Sequence, residues 1–140
     1  MFKRKPVKRA PKRPKRAVRA ISISKLMQQA DALFSKRVRA NNADEEGICT
    51  CFTCGHRAPL KRVQCGHYVS RWYKAVRWHE DNARVQCWVC NIYKKGDAAV
   101  FRTKLAAEIG EKRVLAVERA TGVSLKLTRE YLTDLIEKLK

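Results

Sequence analysis

Three features predict an α+β fold for this chain of 140 residues. Two Cys-x-x-Cys pairs, Cys51–Cys54 and Cys87–Cys90, are separated by 32 residues, enough for a hairpin and a loop. The segments on either side carry apolar residues at helical spacing. The first twenty residues hold ten Lys or Arg, three Pro and no acid. The predicted order is a disordered basic arm over 1–22, a helix and acidic link over 23–47, a metal-stapled hairpin–helix core over 48–96 and a helical region over 97–140.

The arm cannot bury enough apolar surface to offset the entropy of ordering, and its prolines block a regular helix. From Ser24, which can cap a helix, Leu26, Ala30, Leu33, Phe34 and Val38 recur at helical spacing until Asn41-Asn42. Asp44-Glu45-Glu46-Gly47 then links to the first cysteine pair. Arg62-Val63-Gln64 and His67-Tyr68-Val69 read as two short strands, with Gly66 allowing a bend between them. Residues 71–86 read as an irregular loop with one helical turn, and a helix is expected to open near Asn91. Val100, Leu105, Ala106 and Ile109 form an apolar stripe ended by Gly110. Val114, Leu115 and Val117 belong to a second helix, stopped by Thr121-Gly122. Thr128 caps a third, lined by Leu132, Leu135, Ile136 and Leu139.

Lys and Arg number 32 against 13 Asp and Glu, a net charge of +19. An excess of that size points to a polyanion, with nucleic acid the usual partner. A membrane surface would require apolar or lipid anchoring, and none is visible. No apolar run approaches a transmembrane span, and no apolar segment follows the basic N-terminus as a secretory signal requires. The cysteine pairs therefore read as metal ligands in place of disulfides.

Two CxxC turns supply four thiolates, the preferred closed shell of a structural zinc. Cys51, Cys54, Cys87 and Cys90 are the expected ligands. Cys49 and Cys65 are left over as small apolar fillers, although either can replace a ligand if the register differs. Zinc would staple a hairpin to a helix start, with His67 on the one and Asn91 on the other, so both are expected to converge on a hydrated divalent cation. Such a cation polarises a phosphate, a neutral imidazole takes a proton from water, and a carboxamide oxygen suits Mg²⁺ or Mn²⁺. The plainer reading gives a surface or core His and a helix-capping Asn. Lys61, Arg62, Arg71, Lys74, Arg77, Arg84, Lys94 and Lys95 are the expected phosphate contacts around the knuckle. Lys3, Arg4, Lys5, Lys8, Arg9, Lys12, Arg13, Lys15 and Arg16 add those of the arm. Trp72, Tyr73 and Trp78 wedge at an opened junction, stack on an unpaired base or, for at least two of them, fill the core, and Trp88 is expected to pack over the zinc. Nothing looks like a base-reading element, so selectivity for shape is expected over selectivity for sequence.

The combination Cys51-x-x-Cys54, Gly66-His67-Tyr68, Glu80-Asp81-Asn82 and Gln86-Cys87-x-x-Cys90-Asn91-x-x-Lys94-x-Gly96 resembles the NinG/Rap recombination proteins of lambdoid phages. The resemblance runs from about residue 24 to about residue 120. That family is similar to the HNH, or ββα-metal, nucleases, and the Cys90-Asn91 junction is similar to the phage endonuclease VII resolvases. The resemblance implies an HNH-like core and a structure-specific endonuclease that cuts branched recombination intermediates such as Holliday junctions and D-loops. It implies that His67 is the HNH histidine, that Asn82 positions the loop or that histidine, and that Asn91 holds the catalytic metal. It also implies a phage-encoded protein at work in the host cytoplasm alongside other phage recombination proteins. Paired cuts across a junction argue for a homodimer, with the interface left open. Many HNH nucleases carry Asp or His where this chain has Gly66. The second metal ligand is therefore unassigned, with Asp81, then His79, then Asp97 as candidates, and His67 is either base or ligand. The alternative is a zinc-containing DNA-binding accessory protein that does not cut. RNA binding is a third reading.

Overall fold

The computed structural model describes residues 20–140; the arm contacts from Lys3 to Arg16 lie outside the described residues. The chain forms helix α1 (Ile23–Asn41), hairpin β1 (Ile48–Thr50) and β2 (Arg57–Pro59), then hairpin β3 (Val63–His67) and β4 (Ala83–Cys87). Helices α2 (Ala98–Ile109), α3 (Glu111–Arg119) and α4 (Arg129–Leu139) follow. The architecture is α+β, as the patterning predicts.

Helix α1 begins two residues earlier than the spacing suggests. Ser22, not Ser24, is the cap, and its hydroxyl accepts from the Lys25 amide at 3.3 Å. The helix buries Leu26, Ala30, Phe34 and Val38. Its N-terminal half packs on α4 through Leu132 and Ile136. Its C-terminal half covers the hairpins, where Phe34 and Val38 meet Cys49, Ala58, Val63, Ala83 and Val85. A lone two-stranded hairpin is marginal in water, and this shared apolar layer is what supports both.

The two strands expected around Gly66 are one. β3 runs unbroken from Val63 to His67 and pairs antiparallel with β4, from Val63↔Cys87 to His67↔Ala83. β4 lies in the stretch that reads as a loop, although Ala83-Arg84-Val85-Gln86-Cys87 alternates apolar and polar residues as a half-buried strand does. Gly66 is no bend. A Cβ built there would lie 2.0 Å from Gln86 Oε1, so glycine is needed for the Gln86 side chain to cross the strand.

The helix expected near Asn91 is interrupted. One wide turn of π type spans Val89–Tyr93. Lys95, Gly96 and Asp97 then take positive φ values of 53°, 90° and 50°, and α2 starts only at Ala98. Helix α2 buries Phe101 and Leu105, while Val100 of the expected stripe faces solvent. Helix α3 buries Val114 and Val117. Thr128 caps α4 as predicted, accepting from the Tyr131 amide at 3.1 Å. Among the described residues no helix is long and apolar enough to cross a membrane.

Candidate metal centre and basic face

The β1–β2 hairpin carries Cys51 and Cys54 in its loop. The Cys51 amide donates to the His56 carbonyl at 2.8 Å, and the Gly55 amide, at φ 76°, to the Cys51 carbonyl at 2.9 Å. The Phe52 amide reaches the Val85 carbonyl at 2.8 Å and sets this loop against β4, which ends in Cys87. Cys90 sits in the turn beyond. The four sulfurs lie within 4.8 Å of one another, Cys54 Sγ and Cys87 Sγ 3.7 Å apart. A tetrahedral zinc with bonds of about 2.3 Å holds its thiolates about 3.8 Å apart, so the donor set and spacing fit that ion. Burial opposes ionisation of Cys51, but the Cys54 amide and Thr53 hydroxyl outweigh it and bring its thiol down to about 6. Cys49 is a buried core thiol, and burial pushes Cys65 up to about 11, which suits their reading as fillers.

His67 and Asn91 are not brought together. Side chains alternate along β3, and His67 points with Val63 and Cys65 toward α1, its ring 6.1 Å from that of Phe34. Asn91 approaches the opposite face, donating from Nδ2 to Gln64 Oε1 at 2.7 Å. Their expected convergence on one cation is therefore corrected by the pleat: positions 64 and 67 differ by an odd number.

His67 is nonetheless oriented. Its Nε2 lies 3.0 Å from the Arg77 carbonyl, which can only accept, so the proton resides on Nε2 and Nδ1 carries the lone pair. Nδ1 has no hydrogen-bond partner among the described residues. Burial lowers the pKa of the imidazole below 6.5, Arg71 adds to this, and the Arg77 carbonyl and Asp31 oppose it. The ring is neutral at pH 7.

Asn82 is fully buried and holds the Tyr68–His79 loop. Its Oδ1 accepts from the Val69 amide at 2.7 Å, and its Nδ2 donates to the carbonyls of Val69 at 2.9 Å and Val76 at 3.0 Å. Asp81 does not face the proposed cation, because both its oxygens are taken by Arg113. His79 caps its own short turn, and Asp97 pairs with Lys94 at 3.4 Å.

Sequence reasoning misses Gln86. Its Nε2 donates to Thr53 Oγ1 at 3.2 Å and to the Gly96 carbonyl at 2.8 Å, joining the knuckle, β4 and the α2 approach. Gly96 O accepts only, which fixes the amide orientation and leaves Oε1 buried and unpartnered. That oxygen occupies the space where a side chain at position 66 would start. The strand alternation and the Gln in the Gln86-Cys87 motif are the signals that point to it. Asn91 Oδ1 is a neutral hard oxygen that suits a Mg²⁺-like ion in kind, whereas Gln86 Oε1 is buried against Gly66 and closed to a hydrated ion.

The basic residues divide into two groups. Arg77 is locked on Asp31 at 2.9 and 2.6 Å, and Arg84 on Glu108 at 2.9 Å, so both expected phosphate contacts are internal ties. Lys94 is exposed but paired with Asp97. Lys61, Arg62, Arg71, Lys74 and Lys95 are exposed and have no acidic partner among the described residues. Trp78 is packed against both cores and donates Nε1–H to Asp31 at 2.9 Å. Trp72 is 84% exposed, and Trp88, 55% exposed, lines a cavity with Cys54 and Cys87.

These features define a class: a small basic α+β protein whose two hairpins are pinned by a tetracysteine centre able to hold structural zinc. The family described as "Bacteriophage Lambda NinG protein" matches residues 3–140, and the chain belongs to that family. It is 28% identical over 93 residues to "Protein ninG" of Escherichia phage lambda, a match covering 66% of this chain and 43% of that protein. The chain thus spans less than half the length of that relative. No solved structure matches it significantly.

Proposed function

We propose that this protein is a divalent-metal-dependent endonuclease that cuts branched DNA such as Holliday junctions and D-loops, built on an HNH-like variant of the ββα-metal plan. The carrying observation is His67: a neutral imidazole with one nitrogen tethered to a backbone carbonyl and the other free to accept a proton. That is the state a general base needs at pH 7. Asn91 Oδ1 would be the oxygen to hold Mg²⁺ or Mn²⁺, which when bound would supply charge stabilisation at the scissile phosphate. Arg71 and Lys74 follow His67 in the chain, and with Lys61, Arg62 and Lys95 they are exposed and have no acidic partner among the described residues. They favour a polyanion without reading its bases. Two such sites in a homodimer would cut both strands of a junction, beside other phage recombination proteins in the host cytoplasm.

The second reading, a zinc-containing recombination accessory that binds branches without cutting, is favoured by the opposed directions of His67 and Asn91 and by the engagement of Asp81 with Arg113 and of Asp97 with Lys94. One experiment separates the two. Zinc-loaded protein is added, with Mg²⁺ or Mn²⁺, to a labelled four-way junction and to a linear duplex of the same sequence. We expect tighter binding to the junction, affinity for both that falls steeply with salt, and strand cuts near the branch only. Tight junction binding with no product in either metal supports the accessory reading.

A further inference from the structure

The Tyr68–His79 loop presents an aromatic residue in a way the fold does not need. Trp72 is 84% exposed and Tyr73 45%, whereas Trp78, six residues on, is packed in the core. The loop is held at several points. Asn82 makes three hydrogen bonds to the Val69 and Val76 backbone. The Arg77 guanidinium bridges Asp31 and the Arg71 carbonyl, the latter at 3.2 Å. The Trp72 amide donates to Ser70 Oγ at 3.2 Å and the Tyr73 amide to the Ser70 carbonyl at 3.1 Å. The indole is therefore displayed on a braced loop. Arg71 and Lys74 flank it, exposed and without acidic partners among the described residues. The same loop supplies the carbonyl that orients His67.

An exposed aromatic between free cations suits a nucleic-acid base with its face uncovered and its phosphates close by. Bases inside a duplex are already stacked on both faces, whereas those at an open branch expose a face. We propose that Trp72 stacks on an unstacked base at the branch point, with Arg71 and Lys74 on the adjoining phosphates, so that branch recognition and the orientation of His67 share one loop. This rests on the branched-DNA reading above.

The test uses the full zinc-loaded chain without Mg²⁺ or Mn²⁺, so that no cutting intervenes. A four-way junction carries 2-aminopurine at the branch, and wild type is compared with Trp72→Ala and Trp72→Phe. Wild type should change the 2-aminopurine fluorescence. Trp72→Ala should abolish that change and weaken junction binding by roughly 5- to 150-fold, the range for loss of one stacked base. Trp72→Phe should restore part of both, and binding to linear duplex should stay the same in all three. Equal junction affinity and equal fluorescence change for wild type and Trp72→Ala would overturn the stacking role and leave the branched-DNA reading intact. A wild type with no preference for the junction over duplex would overturn both.

Discussion

Removal of zinc should unfold the segment from β1 through the turn after β4, while part of the helical signal survives. The four cysteines lie at the ends of two hairpins of three and five residues per strand, too short to persist alone. Zinc binding to such sites is worth about 10–16 kcal/mol at pH 7 in finger-type peptides, more than the whole net stability of most small domains. Helices α1 and α4 share their own core of Leu26, Ala30, Leu132 and Ile136, which should keep them paired. We expect one zinc per chain, released by chelator or lost in Cys87→Ser, with collapse of the near-ultraviolet dichroism and loss of DNA binding. Partial retention of far-ultraviolet helicity should accompany it. A folded, DNA-binding Cys87→Ser protein with no bound metal would contradict the structural role of the centre.

Asn82→Ala should be strongly destabilising, although it removes only a carboxamide. It leaves the Val69 amide and carbonyl without their partner inside a closed loop, while the Val76 carbonyl keeps only the His79 amide at 3.2 Å. Unpaired buried groups cost about 1–3 kcal/mol each, and with some relief by water a net loss of about 2–5 kcal/mol is expected. Tm should drop by about 10 °C or more. Asn82→Asp should not rescue it, because a carboxylate keeps the acceptor for Val69 but loses both donors and buries a charge. A thermal melt of the zinc-loaded variants checks this, with hydrogen exchange at Val69 and Val76 locating the damage. An unchanged Tm in Asn82→Ala would show that the loop stands without the carboxamide.

The places where the sequence was legible share a physical cause. CxxC spacing brings two sulfurs to one ion whatever surrounds it, so the tetracysteine cluster was readable from four positions. Helical periodicity and Thr128 located α4 for the same local reason. What failed depended on contacts distant in sequence. Gly66 looks like a bend until Gln86, twenty residues on, is seen to need its space. Arg77 and Arg84 look like phosphate contacts until Asp31 and Glu108 are found opposite them, and Asp81 like a ligand until Arg113 reaches it. The convergence of His67 with Asn91 failed on strand parity, which depends on β3 being one unbroken strand. That in turn depends on β4, whose alternation of small apolar and polar residues is weak enough to pass for a loop.

The most direct measurement is the single-turnover cutting rate on a labelled four-way junction in Mg²⁺ or Mn²⁺, wild type against His67→Ala, both zinc-loaded and saturating. The expected result is unchanged junction affinity and zinc content in the variant, with a rate at least about 100-fold lower, as befits loss of a general base. The wild-type rate should be flat near pH 7 and fall once the pH drops through the lowered imidazole pKa, below 6.5, as the ring gains its second proton. Equal cutting by the two proteins, or a wild type that binds the junction and cuts in neither metal, would contradict the assignment of His67 as the base.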